Sequence, residues 1–194
     1  YVKTVVEGSS KDGTDVHTKN QKAAGLATRN DAKTFIYAFL YGAGDEKIGK
    51  IVGGGATVGK RLKDRFLHNT PKLAELREKV ARTVKVEQTL PGLDGRRLLV
   101  RSEHAALNTL LQGAGAVVMK QALVLLDDRL SSLGVSYKFV ANVHDEWQIE
   151  VEEGYEDLVG KLGVKAIEDA GKVLKMRCPL SGEYRTGMNW KETH

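Results

Sequence analysis

From about Glu103 to Leu130 apolar residues fall nearly all round a helical wheel: Leu107, Leu110, Leu111, Ala114, Val117, Val118, Leu125 and Leu126. A helix with one apolar stripe can lie on a surface, whereas one apolar on most sides must be covered on more than one side. Gly134 supplies its stop. This requirement constrains the second half of the chain most. After it, Tyr137–Val143 and Trp147–Val151 read as two strands bracketing His144-Asp145-Glu146, a hairpin with acidic residues at its tip. An amphipathic helix follows over roughly Tyr155–Leu174, then a short strand around Arg177–Leu180.

The first half reads as helices of ordinary length. His17–Ala24 is a short one, and Thr28 is placed to cap a longer one that Gly42 and Gly44 end. Further helical patterns cover Asp45–Val52, Val58–Asn69 and Lys72–Val86, with Pro71 suited to the first position of the last. Asp94-Gly95 within Leu93–Leu98 marks a hairpin, because it supplies the positive φ angles of a tight turn. Residues 1–16 form a weak opening with a Gly-Ser-Ser-Lys-Asp-Gly run. The fold class expected is α+β, mainly helical, with no internal repeat and no low-complexity segment.

Within the longer helix, Arg29, Lys33, Tyr37 and Tyr41 stand four residues apart and form one slowly drifting stripe. Ala32, Phe35, Ile36, Phe39 and Leu40 occupy the adjoining face and anchor it to a core. A rod bearing two cations and then two rings suits a ligand with phosphates at one end and something flat or sugar-like at the other. By spacing alone, an ordinary amphipathic helix with a solvated basic flank is the more economical reading. Gly54–Lys60 spells the glycine-lysine pattern of a phosphate loop, but Arg61 stands where Ser or Thr is needed and a helix precedes it instead of a strand. That motif is rejected.

Three further features bear on chemistry. Asp145 and Glu146 are hard oxygen donors of the kind Mg²⁺ takes one or two of, although tight turns carry acids for solubility alone. His104, Asn108 and Gln112 form a polar row on the long apolar helix, able to meet the minor-groove acceptors shared by all base pairs, or simply to mark its wet edge. His17 lies just upstream of the stripe as a donor. A net charge of +5 and a pI near 9.2 fit a polyanionic partner. Cys178 is the only cysteine, so no internal disulfide can form and a reducing cytoplasm is expected. No apolar run is expected to approach a membrane span, and no membrane partner is expected.

Together these residues resemble a known family. Arg29-x3-Lys33-x3-Tyr37-x3-Tyr41-Gly42 is similar to the fingers motif of family A (polymerase I-like) DNA polymerases, and Val143-His144-Asp145-Glu146 to their palm hairpin. The segments His17–Gln21, Lys33–Tyr37, Leu40–Gly49 and His104–Gln112 resemble the replicative polymerases of T-seven-type bacteriophages, and the likeness runs from about Asp15 onward. It implies fingers at residues 17–90, the C-terminal half of an antiparallel-sheet palm at 91–194, and a right hand that is incomplete within this sequence. The positions of His17, Arg29 and Lys33 would hold the triphosphate of a dNTP. Tyr37 would pack on its sugar and base, which implies tolerance of a missing 3′-hydroxyl. Tyr41 would lie by the templating base, Asn108, Gln112 and His104 along the duplex minor groove, and His144 near the primer end. Asp145 would be a catalytic metal ligand with Glu146 in support. The reaction implied is phosphoryl transfer to a primer 3′-hydroxyl on primer-template DNA, with two Mg²⁺ ions about 3.5–4 Å apart.

One departure matters more than the matches. The family's other catalytic Asp sits in a strand motif of the type D-x-S-x-x-E-L, which occurs nowhere in residues 1–194. The expectation is therefore that these residues synthesise no DNA alone, and that a second polypeptide supplies the thumb and the first catalytic Asp. That arrangement describes a split enzyme; an excised fragment, or a non-catalytic module that binds DNA or nucleotide, are the alternatives.

Overall fold

In the computed structural model, which describes residues 1–194, several helix boundaries in the first half trace to local signals. The opening helix α1 (Val2–Glu7) is followed by α2 (Val16–Ala24), whose N-cap Asp15 accepts the His17 backbone N–H. Gly25 ends α2 in the left-handed region at φ +70°. Thr28 caps α3 (Arg29–Leu40) through the Asp31 N–H. Then come α4 (Asp45–Lys50), α5 (Ala56–Asn69) and α6 (Pro71–Glu87), the last with proline in its first turn. Two short strands, β1 (Thr89–Pro91) and β2 (Arg97–Leu99), pair antiparallel. A 3₁₀ turn, Glu103–Ala105, leads into α7 (Ala106–Leu133). Strands β3 (Tyr137–Val143) and β4 (Glu146–Val151) form a second antiparallel pair, followed by α8 (Glu156–Val173) and α9 (Trp190–Thr193). The chain is mainly helical with small antiparallel sheets.

It divides into two compact units, Tyr1–Leu111 and Gln112–His194. In the first, Phe35, Phe39 and Phe66 meet with centroids 5.2–5.9 Å apart and pack with Ala32, Ile36, Ile48 and Leu62. Arg77 covers the Phe39 ring from 5.8 Å. A smaller cluster joins Val80 and Val84 to Leu90, Val100 and Ala106. In the second unit Ala122, Leu126 and Leu130 of α7 pack with Val159, Ala166 and Ala170 of α8, and the inner face of the hairpin covers them.

Three expectations change, and the long helix keeps exposed apolar surface, as its all-round apolar pattern allows. The Asp94-Gly95 hairpin is closed by a five-residue loop, Gly92–Arg96, in which Gly95 alone has positive φ, because Asp94 turns back to bind Arg96. Arg177–Leu180 forms no strand: Pro179 has no N–H to donate, and Leu180 packs onto Gly171 of α8 instead. The long helix is only partly covered by this chain, since Leu111, Val124 and Leu133 are 40%, 54% and 59% exposed. Residues 103–133 are in fact long and apolar enough to cross a membrane by length and composition alone. Leu107 of this stretch packs in the first core and Ala122, Leu126 and Leu130 in the second, so part of its apolar surface serves the chain's own cores.

Candidate functional site

The stripe on α3 exists because its neighbours bury the opposite face. Ala32 and Phe35 are fully buried and Ile36 and Phe39 nearly so, which leaves Lys33, Tyr37 and Tyr41 exposed in a row. Burying such rings contributes roughly 1.5–3 kcal/mol each, enough to fix the helix rotation and hence the stripe's direction. Arg29 does not extend freely from this row. Its Nε and Nη2 donate to Asp15 at 3.1 and 2.9 Å, across fourteen residues of sequence. Asp15 also accepts the Thr18 hydroxyl at 2.6 Å and the His17 N–H at 3.0 Å. These donors, Arg29 foremost, hold its carboxyl far below the usual carboxylate range.

That knot brings His17 to the stripe. Its ring lies 6.3 Å from that of Tyr37, tilted by 51°. Burial lowers the His17 pKa, with further repulsion from Arg29 and Lys33, so the imidazole is neutral at pH 7. Nδ1 is buried without a partner. A neutral imidazole donates from one ring nitrogen and accepts at the other, so with its proton on Nε2 the ring can serve as a donor. His17, Arg29, Lys33 and Tyr37 thus share one face of α2 and α3.

At the far end of the stripe Gly42, at φ +76°, lies so close to the His104 carbonyl that a Cβ there would sit 2.4 Å from its oxygen. His104 itself stands in the 3₁₀ turn, one step before the helix on which it was expected, and is exposed; Asn108 is half-buried and Gln112 exposed along α7. The basic excess is confined to this unit: residues 1–111 hold twenty Lys and Arg against twelve Asp and Glu, and residues 112–194 hold ten against thirteen.

In the second unit His144 and Asp145 alone make the two-residue turn, with His144 at φ +53°. Glu146 was expected at the tip, but it is the first residue of β4, paired with Val143. Its carboxylate accepts Gln148 Nε2 at 2.6 Å and contacts His194 Nδ1 at 3.0 Å, and Thr193 donates to Gln148 at 2.9 Å. The Gln148 bond, then His194, lowers the Glu146 pKa. Asp145 is exposed and makes no ion pair. Its oxygens could serve as one arm of a Mg²⁺ site. No three His, Cys, Asp or Glu side chains converge anywhere in the chain, so these residues do not make a metal centre by themselves.

Asp15 and Gln148 were not among the residues singled out from sequence. An Asp two residues before His17 carries a helix-cap signal, which could have found Asp15; nothing local marks its partner. No local signal ties Gln148 to Thr193, or Glu146 to His194.

Comparison with known proteins assigns the chain to a family. The family description "DNA polymerase family A" matches residues 9–192. The chain is 45% identical over 201 aligned residues to the DNA-directed DNA polymerases of Enterobacteria phage T3 and Escherichia phage T7. In each case 93% of this chain aligns, and it spans 29% of the relative's length. The DNA-directed DNA polymerase of Escherichia phage Phieco32 is 44% identical, again over 93% of this chain and 30% of its own length. Among solved structures, the POL domain of Pol1 from M. smegmatis, in complex with DNA primer-template and dNTP, superposes with a TM-score of 0.69 at 20% identity. It covers 79% of this chain, which in turn covers 30% of that domain chain. At that identity the likeness speaks for the fold alone.

Proposed function

The chain belongs to DNA polymerase family A, and from that premise we propose that residues 1–194 form the nucleotide-holding face and part of the catalytic hairpin of a DNA-directed DNA polymerase. The observation that carries this reading is the gathering of His17, Arg29, Lys33 and Tyr37 on one face of α2 and α3. Three donors there suit the oxygens of a dNTP triphosphate, and charge-assisted bonds of that kind contribute about 1.5–3 kcal/mol each. Tyr37 follows them with a ring half exposed for the sugar and base. Tyr41 stands at the templating base, while His104, Asn108 and Gln112 read the minor groove of the new pair by its shared acceptors. Residues 17–90 are the fingers and 91–194 the carboxyl half of the palm.

The reaction is attack of a primer 3′-hydroxyl on the α-phosphorus of the bound dNTP, with pyrophosphate as leaving group. Enzymes of this family use Mg²⁺, which when bound neutralises charge on the phosphoryl oxygens. Asp145 would hold it from this chain, with Glu146 in support and His144 beside the primer end. The remaining ligands and the thumb lie outside residues 1–194, whether joined to them or carried on a second polypeptide.

The test is to combine residues 1–194 with a polypeptide carrying the thumb and first palm motif, primer-template DNA, Mg²⁺ and dNTPs. Primer extension is expected, and Asp145→Ala should abolish it. Absence of extension, or extension undiminished in Asp145→Ala, overturns the reading.

A further inference from the structure

Arg29, the cation assigned to the triphosphate, already has an anionic partner, and the geometry of the pair reconciles the two roles. A guanidinium carries five N–H donors arranged in forks. Asp15 occupies the side-on fork, taking Nε at 3.1 Å and Nη2 at 2.9 Å on one oxygen, with Nε at 3.3 Å from the other. Nη1 makes no hydrogen bond in the chain, and the Arg29 side chain is 41% exposed while that of Asp15 is 11% exposed. The end-on fork, Nη1 with the remaining Nη2 proton, therefore points out from a guanidinium whose other edge is anchored. A planar fork held in this way loses little freedom when it meets a phosphate.

We propose that Asp15 is a positioning residue of the nucleotide site, holding the Arg29 guanidinium by one edge so that the other is presented to a triphosphate, and fixing His17 through the cap of α2. The inference rests on the reading of this face as the dNTP site. It assigns Asp15 no contact with the ligand. Two effects oppose each other at this position: the carboxylate repels an anionic ligand, and it orders the cation that binds it. Ordering wins because the Asp15 charge is engaged by Arg29, Thr18 and the His17 N–H, and its side chain is turned inward.

Isothermal titration of residues 1–194 with inorganic tripolyphosphate and with a dNTP tests this. Asn is as good an N-cap as Asp, so Asp15→Asn should leave the far-UV circular dichroism unchanged while weakening tripolyphosphate binding by about tenfold, as expected when an anchored fork becomes mobile. In an Arg29→Ala background the same change should have no further effect, which a merely structural role would not produce. Binding that is unchanged or tighter in Asp15→Asn, or that weakens equally without Arg29, overturns the proposal. If Asp15→Ala and Asp15→Asn both lose α2, the ¹⁵N signal of Arg29 Nε in the wild type decides. It should persist when tripolyphosphate is added, and its loss would show that the ligand displaces Asp15. Failure of the underlying reading looks different: tripolyphosphate would not bind the wild type, or Lys33→Ala and Arg29→Ala would leave binding intact, and the assignment of Asp15 falls with it.

Discussion

Gly42→Ala isolates how the end of the stripe is tied to the turn before α7. At φ +76° the left-handed conformation alone costs an alanine about 1–2 kcal/mol. Its Cβ would also stand 2.4 Å from the His104 carbonyl oxygen and 3.3 Å from its carbon, both of them backbone atoms that cannot rotate away. Relieving that overlap moves the chain at Tyr41 or at His104, a distortion of about 1–3 kcal/mol by analogy with overpacked cores. The expected loss is therefore about 2–5 kcal/mol. Gly53→Ala is the internal control, since Gly53 has nearly the same angle, φ +72°, and a methyl group added there would meet nothing within 4 Å. It should lose only about 1–2 kcal/mol. Urea unfolding followed by far-UV circular dichroism gives both values, with amide exchange of α3 locating the loss. Equal destabilisation by the two substitutions would refute the argument from close approach. Because Tyr41 is one of the two moieties displaced, Gly42→Ala should also weaken primer-template binding in the complemented enzyme, whereas Gly53→Ala should not.

Other perturbations read other contacts. Phe66→Ala removes a ring 1% exposed that meets Phe35 and Phe39 edge-on at 5.2 and 5.3 Å. It should destabilise the first unit by about 3–5 kcal/mol in urea unfolding, and a loss below about 1.5 kcal/mol would mean the site had collapsed around the deletion. Gln148→Ala should bring the Glu146 carboxyl back up towards its ordinary value, read by ¹³C NMR titration, because the Gln148 bond is the first cause of its depression. The Asp169 carboxyl is held far below its usual range, first by Lys172 and then by Arg129. A depressed folded pKa contributes stability that is complete above the unfolded value near 3.9 and is lost as pH falls towards the folded one. Lys172→Ala or Arg129→Ala should therefore move acid unfolding of the second unit to higher pH, followed by the fluorescence of Trp147 and Trp190, both of which lie in that unit.

The helical half of this protein was legible in the sequence because its signals are local. Thr28 caps α3 through a bond three residues long, Pro71 opens α6, and the spacing of Arg29, Lys33, Tyr37 and Tyr41 follows from 3.6 residues per turn. The same holds for β3 and β4 beside the His144-Asp145 turn, which sets the pairing of Val143 with Glu146; the register shift between Phe139 and Ala141 has no such local signal. Where local signals were weak or shared, the sequence misled. Asp94-Gly95 promised a two-residue turn, and the Arg177–Leu180 stretch promised a strand for which the sheet offers no partner.

What the sequence alone determined is the set of chemical groups and the face of each element on which they stand, since helix and strand periodicity are properties of the backbone. Only the tertiary structure decided which of those groups are already engaged. Arg29 is anchored to Asp15 across fourteen residues, and Glu146 is tied to His194 across forty-eight. The long helix likewise announces its apolar surface in the sequence, but which of its sides the chain covers depends on packing: Leu126 and Leu130 are fully buried and Val124 is not. Hydrogen bonds and burial of that range depend on how elements meet in space, and no spacing along the chain encodes it.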